Sequence, residues 1–454
     1  MTMPHTLPRR SILGLLFALG CDAAVRPEPT QPTASDSSQP PPSESALPSE
    51  AAPSATQPSA TQPSAAAPPA DAVERLAKSS NAFGFDLWKR LPDPAKNQVI
   101  SPASLSTALA MTWGGAKGAT ASEMQAVLKL EGAQGEVMKT AGELASSLGD
   151  PKRDVVFRIA NRLFGEKSYR FEQPYLDATR AAYGAPLEAL DFARATEASR
   201  ARINAWVEEQ TEKRIKDLVP PRGVDPDTRL VLVNALYFLG DWAEPFDKER
   251  TRPNAFHLSA TEKAEVPTMS RGGSMLYAET AELSALELPY EGQSMSMLFV
   301  VPRAIDGLAK LESGFDAARL DGLVKALKHE SVFASVPTFE VAPPSSLEVG
   351  DQLKALGMKL AFDRDKADFT GIANPPTPDD RLYIGKVFHK GFVRVDEKGT
   401  EAAAATAVAM PRAGSAPPAK TYEFKADRPF LFFLRDRESG LVLFMGRVVD
   451  PRAK

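Results

Sequence analysis

Apart from a short apolar run at residues 12–19, the periodic alternation of apolar and polar positions that builds secondary structure is missing up to Ala70 and nearly continuous after it. Asp71 and Glu74 read as a capping box that opens a helix carrying Phe83, Leu87 and Leu91 on one stripe. Ser101-Pro102 opens a second helix, with Leu105, Leu109 and Trp113 in register and the proline in the first turn, where a missing N–H is tolerated. Residues 203–215 carry another helical pattern, and the apolar runs at 230–238, 295–301 and 332–341 predict strands. Near the C-terminus the runs 430–434 and 441–449 flank Arg435-Asp436-Arg437-Glu438-Ser439-Gly440, a hairpin signal. Neither run alternates with polar residues, so both faces of each are expected to be covered. Helices and strands interleave without an internal linker, which predicts one large α+β domain over residues 71–454.

The N-terminal part is a different kind of sequence. Residues 1–20 set Arg9-Arg10 before an apolar run too short to span a bilayer, which predicts a signal peptide. The arginine pair suits ordinary secretion or twin-arginine export. Ala18-Leu19-Gly20-Cys21 resembles the bacterial lipobox, with Ala18 where leucine is usual. The expectation is that Cys21 is lipidated and becomes the mature N-terminus; the alternative is a plain secretory signal with an incidental cysteine. Residues 21–70 then form a tether of Pro, Ser, Ala, Thr and Gln, with a tandem Pro-Ser-Ala-Thr-Gln at 53–62. So little apolar surface cannot offset the entropy of ordering, and a disordered spacer reaching roughly 3 Å per residue is expected. The protein should be exported, either as a membrane-anchored lipoprotein or free outside the cell.

A net charge of -4, from 54 basic and 58 acidic residues without a basic block, gives no electrostatic reason to expect nucleic acid as a partner. With Cys21 as its one cysteine, the chain has no intramolecular disulfide and must be held by its core. Catalytic groups would have to come from that cysteine and from His5, His257, His329 and His389. His329-Glu330 continues as Ser331-Val332-Phe333, so the zinc-protease spacing is lacking, as are a nucleophile elbow, a phosphate-binding loop and a Cys-x-x-Cys pair. Gly114, Gly115 and Gly118 are not followed by Lys and Ser or Thr, and are better read as close helix packing. The residues therefore point away from an enzyme and call for no cofactor or metal, leaving only carboxylate chemistry open.

Residues 396–418 are the informative stretch: Glu397-Lys398-Gly399-Thr400-Glu401-Ala402-Ala403-Ala404-Ala405-Thr406, then a segment of small residues with Arg412. By composition it could be an alanine-rich helix or a low-complexity loop. It lies between the strand-like runs 386–395 and 424–434, where a compact domain ordinarily has a short connection, and a loop this long is usually functional or disordered. The same residues resemble the hinge of the inhibitory serpins almost position for position. The resemblance extends over roughly residues 72–454: Ser101-Pro102-x-Ser104, Asn161, Leu232-Val233-Asn234-Ala235-Leu236-Tyr237-Phe238-x-Gly240-x-Trp242 and Leu288-Pro289-Tyr290 fall in the family's order. So do Leu356-Gly357-Met358 with Ala367-Asp368-Phe369, His389-Lys390, Ala426-Asp427-Arg428-Pro429-Phe430 and Phe444-Met445-Gly446-Arg447-Val448. Gly391, where alanine is common, departs from the pattern, and the segment between the loop and Pro429 is a little long.

The resemblance implies a bacterial serpin with about eight or nine helices and a large mixed sheet that accepts the reactive-centre loop, here about 397–420, beside further sheets. It implies a suicide substrate for serine proteases, acting as a monomer, in which the protease supplies the catalysis. The hinge would be Glu397, Gly399, Thr400, Glu401, Ala402, Ala403, Ala404, Ala405 and Thr406. On an inserted strand Thr400, Ala402, Ala404, Thr406, Val408 and Met410 would share one face. Ser101, Ser104, Asn161, Asn234 and His389 correspond to a polar cluster beneath the parting strands, and Trp242 to the point of entry. Two bait bonds stay open. The count from the hinge gives Ala413–Gly414, suited to elastase-like or subtilisin-like enzymes; Arg412–Ala413 contains the loop's one basic residue before Lys420 and suits trypsin-like ones. The alternative function is a non-inhibitory serpin-fold binding or surface protein, against which the small residues 402–405 argue.

Overall fold

A computed structural model describes residues 70–91, 93–150, 152–400 and 420–453. The expected signal peptide, Cys21 and the tether lie outside the described residues. The described helices are α1 (Ala70–Trp88), α2 (Pro102–Trp113), α3 (Gly118–Leu128), α4 (Gln134–Leu148), α5 (Gln173–Tyr183), α6 (Thr196–Gln210), α7 (Leu308–Ser313), α8 (Ala317–Ala326) and α9 (Gly350–Leu356). The strands are β1 (Gln98–Ile100), β2 (Val156–Glu166), β3 (Leu187–Leu190), β4 (Leu230–Asp241), β5 (Arg252–His257), β6 (Lys263–Glu279), β7 (Leu283–Pro289), β8 (Met295–Pro302), β9 (Lys328–Pro337), β10 (Phe339–Val341), β11 (Leu347–Glu348), β12 (Phe388–His389), β13 (Val393–Val395), β14 (Gly399–Thr400), β15 (Thr421–Lys425), β16 (Phe430–Asp436) and β17 (Val442–Val448).

Local chemistry accounts for some of these boundaries and not for others. Ser101 caps α2 by accepting the Ser104 N–H at 3.0 Å, and Pro102 follows in the first turn. At α1 the expected capping box is not used. The helix already includes Ala70, so Asp71 and Glu74 lie inside it and pair one turn on with Arg75 and Lys78. The pattern at 203–215 does not stay helical to its end either: α6 starts at Thr196 and stops at Gln210, and Glu212, Lys213 and Asp217 take left-handed φ angles of 48°, 61° and 50°. Ile215 is nevertheless buried, because the chain turns back over β4 and packs it beside Val233. The run at 332–341 divides between two sheets at Thr338, whose N–H bonds to Pro267 O. The C-terminal hairpin forms as predicted, β16 against β17, with every residue of both strands buried.

Nine strands make one sheet, in the order β1-β17-β16-β8-β7-β6-β9-β15 with β5 added beside β6; six make a second, β10-β13-β14-β4-β2-β3; β11 and β12 pair separately. Helices cover one face of the nine-stranded sheet, where Phe433 stacks on Phe315 and both pack with Phe85 and Leu298. Its other face meets the six-stranded sheet, with Phe339 against Phe430 and Phe432 and with Leu236 and Phe238 in the same core. On the far side of the six-stranded sheet, α6 places Ile203, Trp206 and Val207 against Phe164 and Val233. Gly115 is a packing glycine, since a Cβ there would collide with Ile372. Gly391 packs closely too: its Cβ would come 2.9 Å from the Val99 side chain, so alanine there would require β1 or the Val99 side chain to shift.

Candidate functional site

Strands β4 and β13 run parallel, and β14 lies between them, antiparallel to both. Thr400 pairs with Val395 on one side and Gly240 on the other, and Gly399 pairs with Asp241. The turn that reverses the chain is closed by Asp396, whose N–H donates to Gly399 O and whose Oδ1 accepts the Lys398 N–H, both at 3.0 Å. Four further bonds pin it. The Trp242 N–H donates to Lys398 O at 2.7 Å and its indole to Asp396 O at 3.0 Å; the Phe246 N–H reaches Glu397 O at 2.8 Å; and the Thr251 hydroxyl donates to Glu397 Oε1 at 2.7 Å. Trp242 is itself buried and stacked on Tyr290, with centroids 4.5 Å apart. The Tyr290 hydroxyl lies 2.5 Å from Thr400 Oγ1, which gives both buried hydroxyls a partner. A Cβ on Gly399 would collide with the Gly240 carbonyl, so only glycine permits the two backbones to close here. Burial raises the Asp241 carboxyl above its usual range, with Lys398 pulling the other way.

Beyond β14 a cavity of about 560 Å³ lies between α2, β4 and residues 379–390. Ser101, Ser104, Asn234 and His389 line it, with Leu105 and Leu236 among its apolar walls. Along β4, Leu236 and Phe238 face the core between the sheets and Val233 faces α6, so the pleat turns Asn234 inward with the even-numbered residues. The Asn234 amide donates to Asn161 Oδ1 at 2.7 Å, and Asn161 donates to Tyr183 O at 3.2 Å. Asn234 Oδ1 is buried and, among the described residues, accepts nothing. His389 is buried too, and burial pushes its imidazole down to about 4. It is therefore neutral near pH 7, accepts the Ser101 N–H through Nε2 at 3.0 Å and carries its proton on Nδ1.

That shift has a measurable consequence. Above about pH 6.5 both folded and unfolded His389 are neutral; as the pH falls towards 4 the unfolded chain takes up the proton first, so stability is lost across this window and the loss levels off below it. The loss is on the order of 3 kcal/mol. Thermal melts between pH 7.5 and 4.5 should therefore fall more steeply for the wild type than for His389→Gln, and parallel profiles would contradict the assignment.

A family model described as Serpin (serine protease inhibitor) matches residues 78–451, nearly all of the described chain. The chain belongs to the serpin family. Serpin B6 of Pongo abelii is 39% identical over 391 residues, covering 84% of this chain and 100% of its own. Leukocyte elastase inhibitor of Homo sapiens is 36% identical over 395 residues, with the same coverage of 84% and 100%. Among solved structures, cleaved Serpin 42Da superposes with a TM-score of 0.74 at 30% identity, covering 84% of this chain and 99% of that one.

In this serpin Ser101, Ser104, Asn234 and His389 meet around one cavity, Asn161 joins them through Asn234, and Trp242 stands apart at β14. Of the expected hinge, Glu397, Gly399 and Thr400 are placed; Glu401, Ala402, Ala403, Ala404, Ala405 and Thr406 lie outside the described residues, as do Arg412, Ala413 and Gly414. Three residues that hold the entrance were not singled out from sequence. Tyr290 belongs to Leu288-Pro289-Tyr290, and its signal in the sequence is the need of any buried tyrosine for a hydroxyl partner. Phe246 and Thr251 gave none, since both act only through the turn they meet in space.

Proposed function

We propose that this serpin inhibits serine proteases as a suicide substrate: the protease cuts a bait within residues 397–420, and the cut segment enters the six-stranded sheet between β13 and β4 before the acyl-enzyme can hydrolyse. The observation that carries this reading is β14, where Gly399 and Thr400 already occupy that position, antiparallel to both neighbours. Continuing its register along β4 would set Ala402 opposite Phe238, Ala404 opposite Leu236 and Thr406 opposite Asn234. Small side chains would then meet the large inward residues of β4, and the Thr406 hydroxyl would supply the donor that Asn234 Oδ1 lacks. The buried polar cluster fits a gate that exchanges hydrogen bonds as strands part. Catalysis belongs to the protease; the inhibitor contributes the bond, Arg412–Ala413 or Ala413–Gly414, and the strain. In the same reading it acts outside the cell, tethered at Cys21.

The test is a denaturing gel of the full chain after incubation with trypsin or elastase. A covalent band and a released peptide beginning at Ala413 or Gly414 are expected. A cut loop with free, active protease and no covalent band would leave the non-inhibitory reading in its place.

A further inference from the structure

The nine-stranded sheet ends in an uncovered platform. On β9, Val332, Ala334 and Val336 are fully buried, so the pleat turns Ser331, Phe333 and Ser335 outward. Phe333 pairs with Gly272 of β6 and Glu423 of β15, and Ser331 with Ser274 and Thr421, so on the β6 and β9 side the aromatic ring is surrounded by glycine and serine. Phe333 is 45% exposed, the most exposed large apolar side chain among the described residues. Its neighbours cannot shield it: Gly272 has no side chain, and Glu423 turns to Lys425 in an ion pair at 2.6 Å.

The platform adjoins the C-terminal anchor of residues 401–419. That segment leaves β14 at Thr400 and rejoins the described chain at Lys420, directly before β15, the platform's outer strand. On the sheet's opposite face, Arg271 of β6 pairs with Glu244 and lies over the Phe246 ring, and the Phe246 N–H donates to the Glu397 carbonyl, which ties β6 to the start of the loop. Chain direction fixes which part of a bound protease comes near. Residues after the bait bond lead into β15, so the primed side of the protease cleft faces β15 and β9. From Ala413 to Lys420 the chain spans at most roughly 25 Å, whereas a protease of ordinary size has a radius of gyration of about 17 Å. A protease seated on the bait bond is therefore held within reach of the platform.

Resting on the inhibitor reading, we propose that Phe333 is an exosite: an aromatic anchor that docks against an apolar patch on the primed-side rim of the attacking serine protease, before and independently of loop insertion. A contact of this kind acts on the encounter and leaves insertion alone.

The experiment uses the full chain carrying Phe333→Ala or Phe333→Tyr with trypsin and elastase, and measures the second-order rate of inhibition, the stoichiometry and the melting temperature. Phe333→Ala is expected to slow inhibition of at least one of the two by about fivefold or more, with stoichiometry and melting temperature unchanged, and Phe333→Tyr to keep the wild-type rate. Rates for Phe333→Ala within twofold of wild type with both enzymes, or a loss that tracks a fall in melting temperature, would overturn the exosite. A wild type that forms no covalent complex with either protease would overturn the inhibitor reading instead.

Discussion

Under the proposed mechanism, Ala404→Glu is expected to convert this serpin from an inhibitor of serine proteases into a substrate. The register of β14 on β4 sets residue 404 of an inserted strand opposite Leu236, which is buried in the core between the two sheets. A carboxylate there has no counter-charge, and burying it unpaired costs several kcal/mol, enough to slow insertion by about a hundredfold or more. The bait bond is untouched, so the loop is still cut, but deacylation now wins the race. The gel should show cleaved loop and free protease where the wild type gives a covalent band. Ala403→Glu is the control: it falls opposite Tyr237 on the other face, where the neighbouring Arg158–Glu212 ion pair is about half-exposed and water can solvate the charge. It should retain most inhibition. Position 404 is a better site than Thr400, because Thr400 is already buried against Tyr290 and arginine there would disturb the uncut protein as well. Undiminished complex formation by Ala404→Glu would contradict the register.

Arg412→Ala should lower the rate of trypsin inhibition by about a hundredfold or more while preserving or improving elastase inhibition. A trypsin-like specificity pocket holds an acid, and the guanidinium–carboxylate bond it forms on binding the loop is charge-assisted and desolvated, worth several kcal/mol in the encounter. Arg412 is the one basic residue between Lys398 and Lys420, so no neighbour can replace it. Trypsin inhibition left intact by the substitution would move the bait bond to Ala413–Gly414.

Much of this architecture could be read from residues that act locally. Ser101 and Pro102 start α2 through their own chemistry, and the unbroken apolar runs of β16 and β17 announced strands covered on both faces. The polar residues around the cavity were legible only through the order of motifs, since His389 and Asn234 are 155 positions apart in the chain and meet by tertiary packing. Ile215 misled because burial at helical spacing looks the same whether a helix continues or a loop folds back over the same core. The division of residues 332–341 between sheets was hidden for a related reason: Pro337 and Thr338 interrupt the ladder, while the apolar pattern runs on across them. The fit of Thr400 beneath Tyr290 had no local signature at all, because it depends on β14 lying between two strands far away in sequence.

The central claim is that the six-stranded sheet is strained until residues 401–410 join it, and the most direct measurement is calorimetry of the wild type before and after a single cut within residues 407–415. Insertion adds two hydrogen-bonded ladders and fills the cavity beside Asn234, so the melting temperature should rise by roughly 10 °C or more on cleavage, and by much less in Ala404→Glu. A wild type whose melting temperature is unchanged or lowered by the cut would contradict the account.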